Sequence, residues 1–395
     1  MAITRPTTLA GRMTGLRPST IREILKVTAQ PQVISFAGGL PAPELFPVDE
    51  VREAVNAVLT ELGSEALQYG ESEGYRPLRE WITAEMGRRG VDTETERILV
   101  TNGSQQVLDL VAKTMLEPGD VVLTETPTYL AAIQAFQVFE VEFVSVPTDE
   151  HGLIPEELPT LIERHRPKLL YTIPNFQNPT GITLSADRRE RVAAIAAERG
   201  LLVVEDDPYG KLRYRGDEIP PLKHWDVTGN VVYASTFSKT IAPGLRVGWL
   251  VAPAELFIPL LILKQASDLH TSSLDQRIVH RYLTGFDQTE HLEWIRHAYG
   301  ERFGILDAAL DRELPAGYRW TSPDGGMFLW VTAPETVDTL ALLERAVERD
   351  VAFVPGRDFF PTGGGNNFFR LNFSNSTPER IREGVARLGA LCREL

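Results

Sequence analysis

Cysteine, lysine and long apolar runs are all scarce in this chain, and each shortage narrows what it can be. The one cysteine, Cys392, lies close to the C-terminus. It cannot close an intramolecular disulfide, cannot supply the paired thiolates of a zinc site, and stands outside any Cys/His catalytic setting, so a reducing compartment is expected. The most apolar stretch, Trp249 to Leu263, carries Pro253, Glu255 and Pro259 and falls short of the roughly 20 apolar residues of a membrane span. It reads as a strand running into a buried helix. The opening MAITRPTTLAGRMTG has no continuous apolar core of the kind a secretory signal needs. The expectation is a soluble, cytoplasmic protein without a membrane partner. Positive charge is in deficit as well: 40 Lys and Arg face 54 Asp and Glu, the formal charge is -14, and no basic patch stands out, which argues against a nucleic-acid partner. No G-x-G-x-x-G or Walker A pattern occurs, which weighs against dinucleotide or nucleoside triphosphate binding.

What is present is an alternation of strand and helix. Hydrophobic residues make up 43% of the 395 positions, enough for a large core, and two packed domains are expected at this length. Short apolar runs at Arg97–Thr101, Val121–Thr124, Glu142–Val146, Lys168–Ile173, Leu201–Glu205, Val231–Ser235 and Val247–Val251 read as strands. Helical spacing fills Ser104–Leu116, Tyr129–Phe136 and Ala186–Arg199, the last ended by Gly200. The pattern predicts an α/β fold, a mostly parallel sheet wrapped by helices. Beyond Asp287 come a long charged helix through Arg312, strand-like runs at Met327–Val331 and Phe369–Phe373, and a final helix from Pro378, which together predict a smaller α+β domain. Near the N-terminus, Thr20 and Glu23 form a capping box, and the Pro/Gly-rich stretch Ser35–Pro47 is extended enough to line a site.

In an open α/β sheet the ligand lies beyond the carboxyl ends of the strands, so the residues that follow each strand are the candidates. After RILVT come Asn102, Gly103, Ser104, Gln105 and Gln106, which read either as an ordinary helix cap or as an anion site built from free N–H groups and the helix dipole. LLVVEDD delivers Glu205, Asp206 and Asp207 to a strand end. Further Asp or His ligands are missing from adjacent strand ends, so an organic cation suits these carboxylates better than a metal, and no metal site is expected. Lysines number only seven, and among them Lys239, after VVYAS, is crowded by Ser235, Thr236, Ser238 and Arg246. Such surroundings lower an amine's pKa and free it as a nucleophile, although a lysine after a strand is also commonly a solvated surface residue.

Taken together, Gly103-Ser104-Gln105, Asn178-Pro179-Thr180-Gly181, Asp206-Asp207-Pro208-Tyr209, Ser238-Lys239 with Arg246, and Arg370 within FFRLNFS resemble class I and II aminotransferases of the fold-type-I family that uses pyridoxal 5′-phosphate. The resemblance covers nearly the whole chain. It implies a large cofactor domain with a seven-stranded type of sheet at 46–289, and an N-terminal arm and small domain at 1–45 plus 290–395. It also implies that Lys239 forms the Schiff base with the cofactor, that Asp206 pairs with the pyridine nitrogen, that Tyr209 and Asn178 contact the ring hydroxyl, and that Tyr129 stacks on the ring. Ser104, Gln105, Thr236, Ser238 and Arg246 would hold the phosphate, joined by Tyr69 from the neighbouring subunit of a homodimer. Arg370 would grip the substrate carboxylate. The third position before the lysine, often Ser or Gly in the family, is Thr236 here, which leaves open which of Ser235, Thr236 and Ser238 contributes.

Pro18-Ser19-Thr20-Ile21-Arg22, SFAGGLPAPELFP, ALQYGESEGY, KQASDLHT and GGMF are similar to the branch of 2-aminoadipate and kynurenine aminotransferases, especially bacterial 2-aminoadipate aminotransferases of lysine biosynthesis. The resemblance implies that Arg22, with Ser19 beside it, meets a distal side-chain carboxylate, and that Gly39 and Leu40 line the pocket. A solvated helix face is the competing reading of Arg22. The expected activity is a ping-pong transamination between 2-aminoadipate and 2-oxoglutarate, with glutamate as the other product. A broad aromatic or branched-chain aminotransferase, a pyridoxal phosphate lyase and an aminotransferase-like regulator are the rivals. The last is disfavoured because no helix-turn-helix precedes the cofactor domain.

Overall fold

Strands buried on both faces need a helical layer on each side, and six of the seven strands of the main sheet are of that kind, the edge strand Glu142–Val146 being partly exposed. The computed structural model describes residues 10–13, 30 and 32–394. The strands are β1 (Ile98–Thr101), β2 (Val121–Glu125), β3 (Glu142–Val146), β4 (Leu169–Thr172), β5 (Leu202–Asp206), β6 (Val231–Thr236) and β7 (Gly248–Val251). They form one sheet in the order β1-β7-β6-β5-β4-β2-β3. Only β7 runs against its neighbours, with Gly248 opposite both Thr101 and Thr236. Six parallel strands therefore release their chains at one edge, where Asn102 follows β1, Asp206 closes β5 and Phe237 follows β6. All seven expected strands are found.

The chain from Trp249 to Leu263 departs from expectation. Its helix, Ala254–Asp268, buries Phe257, Leu260, Leu261 and Lys264, yet Ile258 and Ile262 are 58% and 57% exposed. Nearly every position between the strand and Lys264 is apolar, so sequence periodicity could not show that one face is left exposed among the described residues. Among the described residues no helix is long and apolar enough to cross a membrane.

A second sheet of four strands is built from Arg319–Trp320, Phe328–Thr332, Phe368–Asn372 and Val354–Pro355, in that spatial order. It is accompanied by the helices Gln288–Glu313, Thr339–Val347 and Pro378–Cys392. The N-terminal segment joins it: Ile34–Ser35 pairs in parallel with Val351–Ala352, and Asn372 N–H donates to Phe36 O at 2.8 Å. This attachment lays Ala37–Leu40 across the strand that carries Arg370. The capping box at Thr20 and Glu23 lies outside the described residues.

Candidate active site

The three carboxylates at the end of β5 have different fates, and the difference picks out one of them. Glu205 accepts the N–H groups of Leu222 and Lys223 at 2.7 and 2.8 Å. Asp207 accepts from Arg89, Tyr233, Asn175 and the Gly210 N–H at 2.7 to 3.0 Å. Burial pushes the Asp207 carboxyl up, but the Arg89 guanidinium and the Asn175 amide outweigh it and hold the group below its ordinary range. Asp206 has only the Tyr171 hydroxyl, which donates to Oδ2 at 2.9 Å; among the described residues Oδ1 has no partner. Burial above all, opposed by the Tyr171 hydrogen bond and aided by the neighbouring Asp207 charge, leaves Asp206 pushed up to about 7. A buried carboxylate oxygen without a donor is costly, and a cation or N–H donor placed there would be strongly bound.

Lys239 ends the single turn Phe237–Lys239 that follows β6, a turn capped by Thr236, whose Oγ1 accepts the Ser238 N–H at 3.1 Å. The amine is half-buried and donates to Gly39 O at 3.0 Å. Desolvation first, then the positive charges of Arg246 and Arg370, push its pKa down to about 8. Thr236 and Ser238 both face the same cavity, with their hydroxyls 2.9 Å apart. Ser235 instead donates to Asp207 O at 2.8 Å and is not among the described walls of that cavity. Arg246 spans the gap between two strand ends: Nη1 reaches Ser238 Oγ at 3.4 Å and Nη2 reaches Asn102 O at 3.1 Å.

Gly103 is the cap residue of the helix Ser104–Met115 and has φ +71°, a left-handed conformation that favours glycine. A side chain there would also collide with the Arg246 guanidinium. Ser104 and Gln105, in the first turn of this helix, share a cavity wall with Arg246, and a helix N-terminus beside a guanidinium suits an oxyanion.

On the opposite wall, Arg370 projects from Phe368–Asn372. Nη1 donates to Asn178 Oδ1 at 2.7 Å and Nη2 to Ala37 O at 2.6 Å, while Phe328 lies 4.2 Å below the guanidinium carbon. Burial lowers its pKa to about 10, so it stays charged at neutral pH. Asn178 is held in a tight turn: Gln177 Oε1 accepts the Thr180 N–H and hydroxyl at 3.0 and 2.7 Å. Its amide also approaches the Tyr209 hydroxyl at 3.5 Å.

A cavity of about 360 Å³ gathers these groups. Its walls include Gly39, Leu40, Ser104, Gln105, Tyr129, Asn178, Asp206, Tyr209, Thr236, Ser238, Lys239, Arg246 and Arg370, all expected from the sequence. Ile173, Pro208, Pro243 and Phe328 complete it and were not foreseen. Tyr69 is not brought there: it is 78% exposed and stands edge-on to His270. Ser19 and Arg22 lie outside the described residues.

The sequence pattern of the family described as aminotransferase class I and II matches residues 32–388. The chain belongs to this family. Among its relatives, the 2-aminoadipate transaminase of Thermus thermophilus is 45% identical over 98% of this chain and 96% of its own length. The aromatic-amino-acid aminotransferase 1 of Thermococcus litoralis is 43% identical over 96% and 93%. Of solved structures, the alpha-aminoadipate aminotransferase of Thermus thermophilus, complexed with N-(5′-phosphopyridoxyl)-L-leucine, superimposes with a TM-score of 0.91 at 42% identity, covering 98% of this chain and 97% of that one.

As a class I and II aminotransferase the protein is a pyridoxal 5′-phosphate enzyme acting on amino acids and 2-oxoacids. The cavity fits that cofactor by two observations. Asp206 offers an unpaired, buried oxygen to a ring N–H, and the absence of a side chain at Gly103 lets the Arg246 guanidinium lie against the start of the helix Ser104–Met115, a cation beside a helix N-terminus that suits a phosphate.

Proposed function

We propose that the protein is an aminotransferase of broad donor range that takes 2-aminoadipate and glutamate, with 2-oxoglutarate as the acceptor. The observation that carries the site assignment is the convergence of Lys239, Asp206 and Arg370 on one small cavity. When bound, pyridoxal phosphate supplies a ring that accepts the charge left by removal of an α-proton. The chain's own residues do the rest. Lys239 holds the cofactor and, once released by the incoming amine, moves the proton, for which its depressed pKa of about 8 suits it. Asp206 keeps a proton on the ring nitrogen. Tyr209 and Asn178 would meet the ring hydroxyl, and Tyr129 would pack on the ring face. Ser104, Gln105, Thr236, Ser238 and Arg246 receive the phosphate, joined by Tyr69 of a second copy. That last role, and a homodimer, are supported by the exposure of Tyr69 together with Leu67, Ile258 and Ile262. Arg370 takes the α-carboxylate in its planar fork, which orients the α-carbon over Lys239. We assign 46–289 to the cofactor domain and 1–45 plus 290–395 to the arm and small domain.

The described walls of the cavity contain two guanidiniums, Arg246 and Arg370, and both are committed in this assignment. A distal carboxylate therefore needs a further cation, and Arg22 is the residue proposed to supply it. Aromatic or branched donors form the second reading, favoured by Leu40, Ile173 and Phe328 on the same walls. Single-turnover absorbance of the bound cofactor, with each donor and no acceptor, separates the two. Rapid conversion by 2-aminoadipate and glutamate is expected, and Arg22→Ala should raise KM for these about 10- to 100-fold while leaving leucine within about threefold. Equal losses for acidic and apolar donors would remove Arg22 from the site. Reaction with apolar donors alone would overturn the acidic assignment, and release of ammonia without an acceptor would point to a lyase.

A further inference from the structure

Lys264 is fully buried and has no part in the chemistry described above. Its Nζ donates to Asp268 Oδ2 at 2.8 Å, to Gln106 Oε1 at 2.8 Å and to Thr271 Oγ1 at 2.9 Å. Asp268 Oδ2 also accepts from the side-chain amides of Asn102 and Gln106, at 2.5 and 2.8 Å. Gln106 Oε1 in turn accepts the Asn102 backbone N–H at 2.8 Å. The two residues that bracket Gly103-Ser104-Gln105 are thus tied to one ion pair on a distant helix, at the point where that helix ends in a left-handed Leu269, φ +65°. Asn102 also offers the carbonyl that receives Arg246. Burying the Lys264 amine is tolerated because it is paired and its three hydrogen bonds are made; Asp268 Oδ2, which accepts one of them, takes its other bonds from the turn beside the cavity, while Asp268 Oδ1 has no hydrogen-bond partner among the described residues.

We propose that Lys264 and Asp268 are positioning residues for the cofactor phosphate. Lys264 anchors Asp268, and Asp268 with Gln106 fixes Asn102 and the backbone of Gly103–Gln105 in the form that receives the phosphate. The pair is neutral as a unit, so it acts through geometry and not through net attraction. The inference rests on the assignment of Gly103–Gln105 and Arg246 to the phosphate.

The test uses cofactor-free enzyme titrated by fluorescence with pyridoxal phosphate and, separately, with pyridoxal, which has the ring but no phosphate. Lys264→Met should weaken pyridoxal phosphate about 10- to 100-fold while changing pyridoxal less than about threefold. Asn102→Ala, which loosens the turn without stranding a buried charge, should act in the same direction and keeps the test open if Lys264→Met does not fold. Arg246→Ala is run beside them. If Arg246→Ala shows the phosphate-selective loss and both other variants bind as the native protein or lose the two ligands equally, the positioning role is overturned alone. If Arg246→Ala shows no selectivity, the phosphate assignment itself fails.

Discussion

Replacing Lys239 by alanine is expected to slow amino transfer by at least about 10⁴-fold. In the proposed assignment two jobs fall on one amine: it holds the cofactor, and it carries the proton to and from the α-carbon. Among the described residues no second amine lines the cavity, and the Tyr209 phenol is pushed far above its ordinary pKa by burial, so it cannot replace the base. The variant should still bind pyridoxal phosphate, because Asp206, Arg246 and the helix turn at Gly103 are untouched, but borohydride reduction before denaturation should leave no cofactor attached to the chain. In the native chain the free amine is the reactive form, and its pKa is lowered from 10.5 to about 8. Capture of added cofactor should therefore speed up as pH rises toward 8 and level off above it. Stopped-flow absorbance reads both effects, and a loss smaller than about tenfold would take the proton transfer away from Lys239.

The second large effect belongs to Asp206. An amide in its place cannot keep a proton on the ring nitrogen, so Asp206→Asn should lower the single-turnover rate with glutamate by about 10²- to 10³-fold. Asp206→Glu keeps the charge but shifts it by one methylene, and should lose less. Both keep a polar group near the Tyr171 hydroxyl, so the comparison separates charge from shape. Equal rates for Asn and Asp would mean that the carboxylate serves only to fill space between Tyr171 and the ring.

Much of this site was legible in the sequence because its parts are local and follow strand ends. Asn102-Gly103-Ser104 follows β1, Asp206 closes β5, and Lys239 follows β6, so a parallel sheet brings them to one edge without any knowledge of side-chain packing. What escaped depends on which way a buried residue faces. Tyr171 within LLYT and Phe328 within MFLW are surrounded by apolar neighbours and read as core, yet one holds Asp206 and the other lies beneath Arg370. The choice among Glu205, Asp206 and Asp207 was open for the same reason: it is made by Arg89, Tyr233, Asn175, Leu222 and Lys223, which arrive from other elements. The tie between Asn102 and Asp268 joins positions 166 apart, a separation that no local pattern records. The exposed Ile258 and Ile262 make the complementary point. A continuous apolar run says that a surface will be covered, not whether the same chain covers it.

The central claim is that Lys239 is the residue to which the cofactor attaches. Borohydride reduction of the loaded enzyme, followed by digestion and peptide mass spectrometry, tests it most directly, because reduction fixes the link before the fold is lost. The account predicts a pyridoxyl adduct on the peptide that contains Ser238-Lys239 and on no other. An adduct on Lys211, Lys223, Lys264 or any other lysine, with Lys239 unmodified, would contradict it.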